Sequence, residues 1–367
     1  MRWSRDAALL SRWPLYQTFR SYGYPRIRPM TMSFVVTDRC NSRCSPCLIG
    51  TRYLEDPKVA AGELTLDEYR QVFASVGELE WVTLGGGEPF MRPDFAELSI
   101  AAVRAMRPRV VNVPTNATLM HATEKGVASM LEGFGDTRLV VNVSVDGVGP
   151  RHDELRGFEG NFERLTAVVA ALRGLRDPRL TIGVNTVISA FNVEHARETV
   201  DWVLDELRPD SYVVEAAQIR EEYWNREVPL RAEGIAEALG YARGRLETAR
   251  RRGIPALVKA FRLHYYDEAI RGLGAPSMHR CFSGFATCAM MPKGDVVSST
   301  GRADPMGNVR DFDLDFGALW RSPRAERARA RVRASPCACE SSNVSYPNAL
   351  FDPAAAARVA WNALRYR

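Results

Sequence analysis

Six short apolar runs rich in β-branched residues recur along the first 216 residues, and stretches of helical period separate them. The runs cover 33–37, 80–84, 110–114, 138–145, 180–188 and 211–216; the helical patterns between them include 66–76, 95–106, 162–172 and 193–207. Apolar recurrence at 3.6 residues marks a helix, and short β-branched runs mark strands. Strands that alternate with helices build β-α units around a parallel sheet. Six units make a partial (β/α)6 barrel and do not require a closed barrel of eight. The expected fold is therefore α/β. Residues 31–220 form the barrel core and 1–30 an amphipathic N-terminal extension. Residues 221–275 make a helical connection, and 276–367, rich in Gly, Pro and Cys, a small C-terminal domain. In folds of this kind the chemistry sits at the C-terminal ends of the strands.

Directly after the first run stand Cys40, Cys44 and Cys47, spaced C-x3-C-x2-C. A four-iron cluster takes four thiolates as a rule. Three thiolates hold three irons and leave the fourth open, and an open coordination position separates a reactive metal site from a structural one. The competing reading is half of a zinc site completed elsewhere in the chain. A disulfide framework fits poorly with 367 residues and an odd count of seven cysteines.

The composition, 46% hydrophobic and 25% charged, is that of a globular protein large enough for one big domain and a smaller one. No apolar run reaches the roughly 18 residues of a membrane span. The opening Met1-Arg-Trp-Ser-Arg-Asp6 is not followed by the apolar core and cleavage site of an export signal. Clustered thiols without such a signal place the expected location in a reducing cytoplasm. The net charge is +5, and Arg321, Arg324, Arg327, Arg329, Arg331 and Arg333 crowd one late segment. They read as a solvated helix face, with a nucleic-acid or anionic-membrane surface as the alternatives. Residues 3–22 mix Trp, Leu, Tyr and Phe with Arg. They read as a helix packed on the domain or as an interfacial helix in weak peripheral contact with a membrane.

The second run ends in Thr83-Leu-Gly-Gly-Gly-Glu-Pro89. Glycines let a backbone approach a ligand closely, and without a following Lys-Ser/Thr this is not a phosphate loop. Paired with the cysteines one strand earlier, the motif resembles the radical S-adenosylmethionine (radical SAM) superfamily, over about residues 30–220. The resemblance implies a [4Fe-4S] cluster on Cys40, Cys44 and Cys47 whose open iron binds the amino and carboxylate groups of S-adenosylmethionine. Reduction by one electron then cleaves the sulfonium, and the 5′-deoxyadenosyl radical removes a hydrogen atom from substrate.

Further positions follow from the same resemblance. Gly85, Gly86, Gly87 and Glu88 correspond to the loop that meets the methionine amino group. Residues 113–117 match the family's Thr-Asn-Gly segment, with Asn116 at the cofactor and Ala117 in place of the usual Gly. Ser144, Asp146 and Arg156 fall in a block of the Ser-x-Asp-Gly … His-Asp … Arg type, at the cofactor's carboxylate or ribose. A guanidinium fork suits a carboxylate. Alone, Arg156 reads equally as a surface ion pair and Asp146 as a turn residue. One departure stands out: the position before the third cysteine, usually an aromatic in contact with adenine, is Pro46. Apolar cover must come from elsewhere, and Val187 or Ile188 at the end of the fifth run is a candidate, each reading otherwise as a core residue; Asn185 on the same run is a further cofactor-binding candidate.

Four thiols remain, Cys281, Cys288, Cys337 and Cys339, a full ligand set for a second cluster. Their surroundings are similar to the twitch or SPASM-type extensions that carry auxiliary iron–sulfur clusters. The match departs at Ser299, where a cysteine is expected, and in the one-residue spacing of Cys337 and Cys339. The count excludes a full two-cluster SPASM set. One auxiliary cluster is expected, with Cys288 as its fourth ligand or with three cysteines holding it. Structural zinc and reduced core thiols remain as alternatives.

Candidate proton or hydrogen donors must project from strand ends, and Glu215 and Gln218 hold that position, as do Asn185 and Tyr212. The expected substrate is a peptide or protein, with a sugar, nucleotide or lipid-linked small molecule as the alternative. An electron donor such as flavodoxin or ferredoxin is implied. A non-catalytic iron–sulfur carrier or redox sensor is the reading from another class. It leaves the Gly-Gly-Gly-Glu-Pro loop without a purpose. No basic-aromatic platform for single-stranded nucleic acid is present, so no nucleic-acid partner is expected.

Overall fold

A computed structural model describes residues 2–220, 223–248, 254–274, 280–301, 303–335 and 342–366. Helix α1 (Arg2–Tyr22) leads into β1 (Thr31–Thr37), α2 (Ile49–Glu55) and α3 (Leu66–Val76). There follow β2 (Trp81–Gly86), α4 (Phe95–Met106), β3 (Val110–Thr115), α5 (Met120–Gly133) and β4 (Arg138–Ser144). Helices α6 (Pro150–Arg156) and α7 (Asn161–Gly174), then β5 (Leu180–Ile188), α8 (Ala196–Trp202) and β6 (Ser211–Ala216) complete the repeats. Helices α9 (Ile235–Thr248) and α10 (Ile254–Gly272) connect to β7 (Thr287–Met290), β8 (Asp295–Val297) and β9 (Pro305–Asn308). Helices α11 (Phe316–Arg321), α12 (Pro323–Ala334), α13 (Ser342–Phe351) and α14 (Pro353–Arg365) follow.

The described strands share one sheet in the order β6-β5-β4-β3-β2-β1-β7-β8-β9. The first six are parallel to their neighbours, as β-α repeats require. No ladder joins β6 to β1, so the barrel is partial. Strand β7 adds in parallel on the outer side of β1, and β8 and β9 continue from it antiparallel. The Cys-rich C-terminal region therefore extends the same sheet.

Residues of alternate parity face opposite ways along each strand. Met32, Phe34 and Val36, Leu139, Val141 and Val143, and Val184 are buried in the core. Phe34 meets Phe73 of α3 edge-on at 5.1 Å, which fixes this parity as the helix side. The other parity carries Ser33, Thr83, Asn112, Asn142, Ser144, Asn185 and Glu215 and faces the lumen. Local signals set the helix starts. Thr65 and Glu68 form a reciprocal capping box on α3, and Asp352 and Ser322 cap α14 and α12.

The second half of α1 is an internal packing element. Tyr16 and Phe19 are fully buried, Trp13 donates to the Leu350 carbonyl and Arg20 to the Cys281 carbonyl. Arg329 on α12 is buried beside it. Its guanidinium donates to Gly284 and Trp320 carbonyls at 2.7 Å and lies over the Phe19 and Trp320 rings. Of the late arginines, this one is thus a core residue and not part of a solvated face. No described helix is long and apolar enough to cross a membrane.

Candidate active site

The loop after β1 carries Cys40, Cys44 and Cys47, and neighbouring elements hold it from four sides. From β2, Gly87 donates to Thr37 and Glu88 to Arg39 through their backbones. From β3, Asn116 Nδ2 donates to Asn41 Oδ1 and Ser42 Oγ, both at 2.9 Å, while Asn41 Nδ2 donates to Thr118. From α6, the Leu155 carbonyl accepts from Ser45 N. From the segment after β6, Asn225 Nδ2 reaches the Pro46 carbonyl at 2.9 Å.

The glycine motif has a packing reason. A Cβ on Gly87 would lie 2.3 Å from the Arg39 carbonyl and 2.9 Å from Cys40 Cβ. Glycine there lets the end of β2 press against the cysteine loop. Sequence patterns place these glycines after the strand. The structure extends β2 through Gly86, because a ladder with β1 outweighs the weak strand preference of glycine.

Glu88 is fully buried and accepts from Thr115 Oγ1, Asn116 N and Phe90 N. Burial still pushes its carboxyl up to about 7. Its carboxylate thus serves the join between β2 and β3. Ala117 sits at φ 57, the left-handed region, which accounts for glycine being usual at this position.

Past β4, Asp146 accepts from Arg156 Nη1 at 2.9 Å and from Val187 N at 2.7 Å. His152 is buried in the same corner. Its Nδ1 accepts from Asp146 N and its Nε2 pairs with Asn161 Oδ1, whose amide reaches the Asn116 carbonyl. Burial and the nearby Arg156 cation push His152 down to about 4, so it stays neutral. Asn192 ties the same corner by donating to the Asp146 and Val187 carbonyls. Sequence offered only the Asn residue type as a signal for Asn192 and Asn225.

Glu215 projects into the lumen from β6 with both oxygens engaged. One accepts from Asn185 Nδ2 at 3.2 Å, the other from Ser342 N at 2.7 Å. It links the barrel to α13. Gln218 Oε1 accepts from Arg220. Tyr212 is on the opposite parity from Glu215 and its hydroxyl meets Thr186 on the helix side. Period two along β6 therefore removes it from the pocket expected from sequence. Ser144 and Val187 end β4 and β5 on the lumen parity.

Three observations bear on whether this mouth fits a cluster with S-adenosylmethionine. Arg156 Nε, Gln218 Nε2 and Asn185 Oδ1 are buried and have no hydrogen-bond partner among the described residues. They offer two donors and an acceptor to a polar ligand. Burial pushes Cys40 and Cys47 up to about 12 and Cys44 in the same direction, with Arg156 as the opposing cation. Thiols so desolvated gain most from a metal that replaces their protons. Among the described residues no three acidic, His or Cys groups close on one ion. A cubane makes no such demand, since each thiolate takes its own iron. The residues fit the group.

The second cysteine set is only partly described. Cys288 lies on β7 opposite Met32, in the apolar core, with the Arg329 cation as the charged influence on it; burial pushes its thiol up. Cys281 is buried ahead of β7. Cys337 and Cys339 lie outside the described residues.

Residues 34–203 match the family model of the radical SAM superfamily. An AdoMet-dependent heme synthase of Methanosarcina barkeri is 29% identical over 331 residues, covering 82% of this chain and 84% of that protein. Two solved structures share the fold. Streptococcus suis SuiB bound to S-adenosylmethionine has a TM-score of 0.58 and 15% identity over 89% of this chain and 73% of its own. Native anSMEcpe with bound AdoMet has a TM-score of 0.58 and 14% identity over 92% of this chain and 97% of its own.

Proposed function

From the premise that this chain is a radical SAM superfamily enzyme, we propose that it removes a hydrogen atom from an uncharged, hydrogen-bonding substrate, a peptide segment, held in the barrel lumen. Cys40, Cys44 and Cys47 would hold a [4Fe-4S] cluster. Bound at this mouth, the cluster and S-adenosylmethionine together supply a hydrogen-abstracting carbon radical. The chain's own residues do the positioning. Arg156, fixed by Asp146, offers its unpaired Nε to a carboxylate. Gln218 and Asn185 offer a donor and an acceptor, and Val187 on β5, in register with Glu215, would offer an apolar wall. Gly86 and Gly87 let the end of β2 come close to the segment that carries the cysteines. Cys281, Cys337 and Cys339 would carry an auxiliary cluster, with Cys288 the alternative fourth ligand, and a flavodoxin or ferredoxin would supply electrons.

The lumen lining supports the substrate class. Thr83, Asn112 and Asn142 form a hydrogen-bonded belt across β2, β3 and β4. Gly183 on β5 closes it: a Cβ there would lie 1.9 Å from Asn142 Oδ1. Above the belt stand Ser144 and Asn185. These neutral donors and acceptors suit amides or hydroxyls. The heme synthase relative favours a second reading, a tetrapyrrole. Such a macrocycle bears several carboxylates, whereas Ser33, Thr83, Asn112, Asn142, Ser144 and Asn185 are neutral, so cations outside these positions, such as Arg156 at the mouth, would have to receive them.

Deuterium transfer tests both. The reconstituted protein is incubated anaerobically with reductant, S-adenosylmethionine and either deuterated peptides or a deuterated porphyrin. Deuterium in 5′-deoxyadenosine from the peptide supports the proposal; transfer from the porphyrin alone replaces it with the second reading.

A further inference from the structure

Three consecutive residues after β6 grip the segment that follows the first cysteines. The Tyr223 carbonyl accepts from Leu48 N at 2.9 Å. The Trp224 ring lies under the Arg52 guanidinium, 3.5 Å from its centroid. Asn225 Nδ2 donates to the Pro46 carbonyl at 2.9 Å. Residues 46, 48 and 52 are thus held together, and Cys47 lies between the first two.

Asn225 is the knot. It is 1% exposed, and every polar atom of its side chain is used. The same Nδ2 that reaches Pro46 also reaches the Gln218 carbonyl at 3.0 Å, and Oδ1 accepts from Arg220 N at 2.9 Å. Trp224 adopts a left-handed φ of 54 between its two neighbours, a conformation that costs a non-glycine residue about 1 kcal/mol or more. A segment that keeps such a residue in register is over-determined by its contacts. The grip also spans the gap between β6 and β1, which no ladder joins among the described residues.

We propose that Tyr223, Trp224 and Asn225 form a clasp that positions Cys47, with Asn225 as its positioning residue. The inference rests on the cluster assignment made for Cys40, Cys44 and Cys47. It gives Pro46 a role as well. At the position where the family carries an aromatic, this chain offers a carbonyl to the clasp. Because Asn225 also holds the Gln218 backbone, and Gln218 Nε2 is buried without a hydrogen-bond partner among the described residues, the clasp joins that donor to the third cysteine. Partners one step removed from a metal ligand are worth about 10-fold or more in affinity or activity.

Asn225→Asp and Asn225→Ala are the decisive variants. The Asp carboxylate is nearly isosteric but turns an acceptor toward two carbonyl oxygens. Wild type and variants are reconstituted anaerobically, and iron content, circular dichroism, the EPR spectrum of the reduced cluster, its midpoint potential and 5′-deoxyadenosine formation are measured. The expected result is native circular dichroism with shifted g-values and potential, and product formation down about 10-fold, more in Asp than in Ala. Wild-type g-values and potential in both variants would overturn the clasp. Hydrogen exchange at the Leu48 amide is read on the iron-free proteins. It is expected to quicken about 10-fold in Asn225→Ala, as loss of about one hydrogen bond implies; an unchanged rate also overturns the clasp. Iron-free wild type that cannot be reconstituted would instead overturn the cluster assignment and leave the exchange result to decide the clasp.

Discussion

Cys40 and Cys288 are both buried thiols, on loop and strand of adjacent elements, and their surroundings differ in kind. Cys40 stands in a loop whose neighbours are Asn41, Ser42, Asn116 and Thr118, joined by hydrogen bonds, with the Arg156 cation facing it. Cys288 stands on β7 opposite Met32, within the apolar core cluster that also includes Phe282, Phe285 and Met290. The first setting is a polar frame around three cysteines that stand outside the apolar core cluster. The second is a place where a small apolar side chain would serve. A cysteine suits a metal by virtue of its frame, and the two frames set Cys40 apart from Cys288.

The largest expected effects test that contrast directly. Cys44→Ala should abolish 5′-deoxyadenosine formation and release the iron held at the first loop, as a triple variant of Cys40, Cys44 and Cys47 would. Cys288→Ala should leave the iron content unchanged and cost about 1 kcal/mol of stability, the price of a small buried group. Iron lost from the Cys288 variant would place it among the ligands and erase the distinction between the two frames.

Arg156 sharpens the polar side of the comparison. Its Nη1 is committed to Asp146 and its Nε is unpaired. Arg156→Lys keeps the charge and removes the fork. Weakening of S-adenosylmethionine binding by about 10-fold or more, the loss of one charged hydrogen bond, is expected in an equilibrium titration, with iron content retained. Unchanged affinity would make Arg156 a partner of Asp146 alone.

Most of the fold was legible because alternating strand and helix patterns need no long-range information. The strands 180–188 and 211–216 and the helices 66–76 and 95–106 stand where the periodicity puts them. The cysteine loop and the Gly87 approach were legible as motifs. What stayed hidden depends on distance in sequence. Asn225 meets Pro46 across 179 residues, and no local pattern marks a side chain whose partner is a remote backbone carbonyl. The burial of Arg329 was hidden for the same reason: its acceptors on Gly284 and Trp320 and the rings over it come from other elements. The engagement of Glu215 was hidden because Ser342 N, its second donor, arrives from the far end of the chain.

The polar frame should also respond to pH where the apolar one does not. His152 is held neutral, with its folded pKa near 4 against 6.5 unfolded. Above 6.5 neither state binds the proton and the stability is intact. Between 6.5 and 4 the unfolded chain takes up a proton that the folded chain refuses, so stability falls as pH falls. The shift corresponds to about 3 kcal/mol at most. Urea unfolding from pH 7 to pH 4 measures it, and His152→Gln should flatten the slope in that window. An identical slope in the variant would assign the acid loss to other groups.

Ala117 sets the smallest effect and the finest test of the frame. Its φ of 57 costs an L-residue roughly 1–2 kcal/mol, and glycine would remove that strain. Glycine would also free the unfolded chain, at about 0.4–1 kcal/mol, and lose a methyl that is fully buried, at about 0.8 kcal/mol. These contributions nearly cancel, so Ala117→Gly should change unfolding stability by less than about 1 kcal/mol. The amide hydrogen bond from Ala117 to Thr115 Oγ1 stays in place, since only the side chain changes. A loss well beyond that would mean the methyl does more than fill space. It would then be a packing contact that holds Thr115 to Glu88, and so holds the β2–β3 join under the cysteine loop.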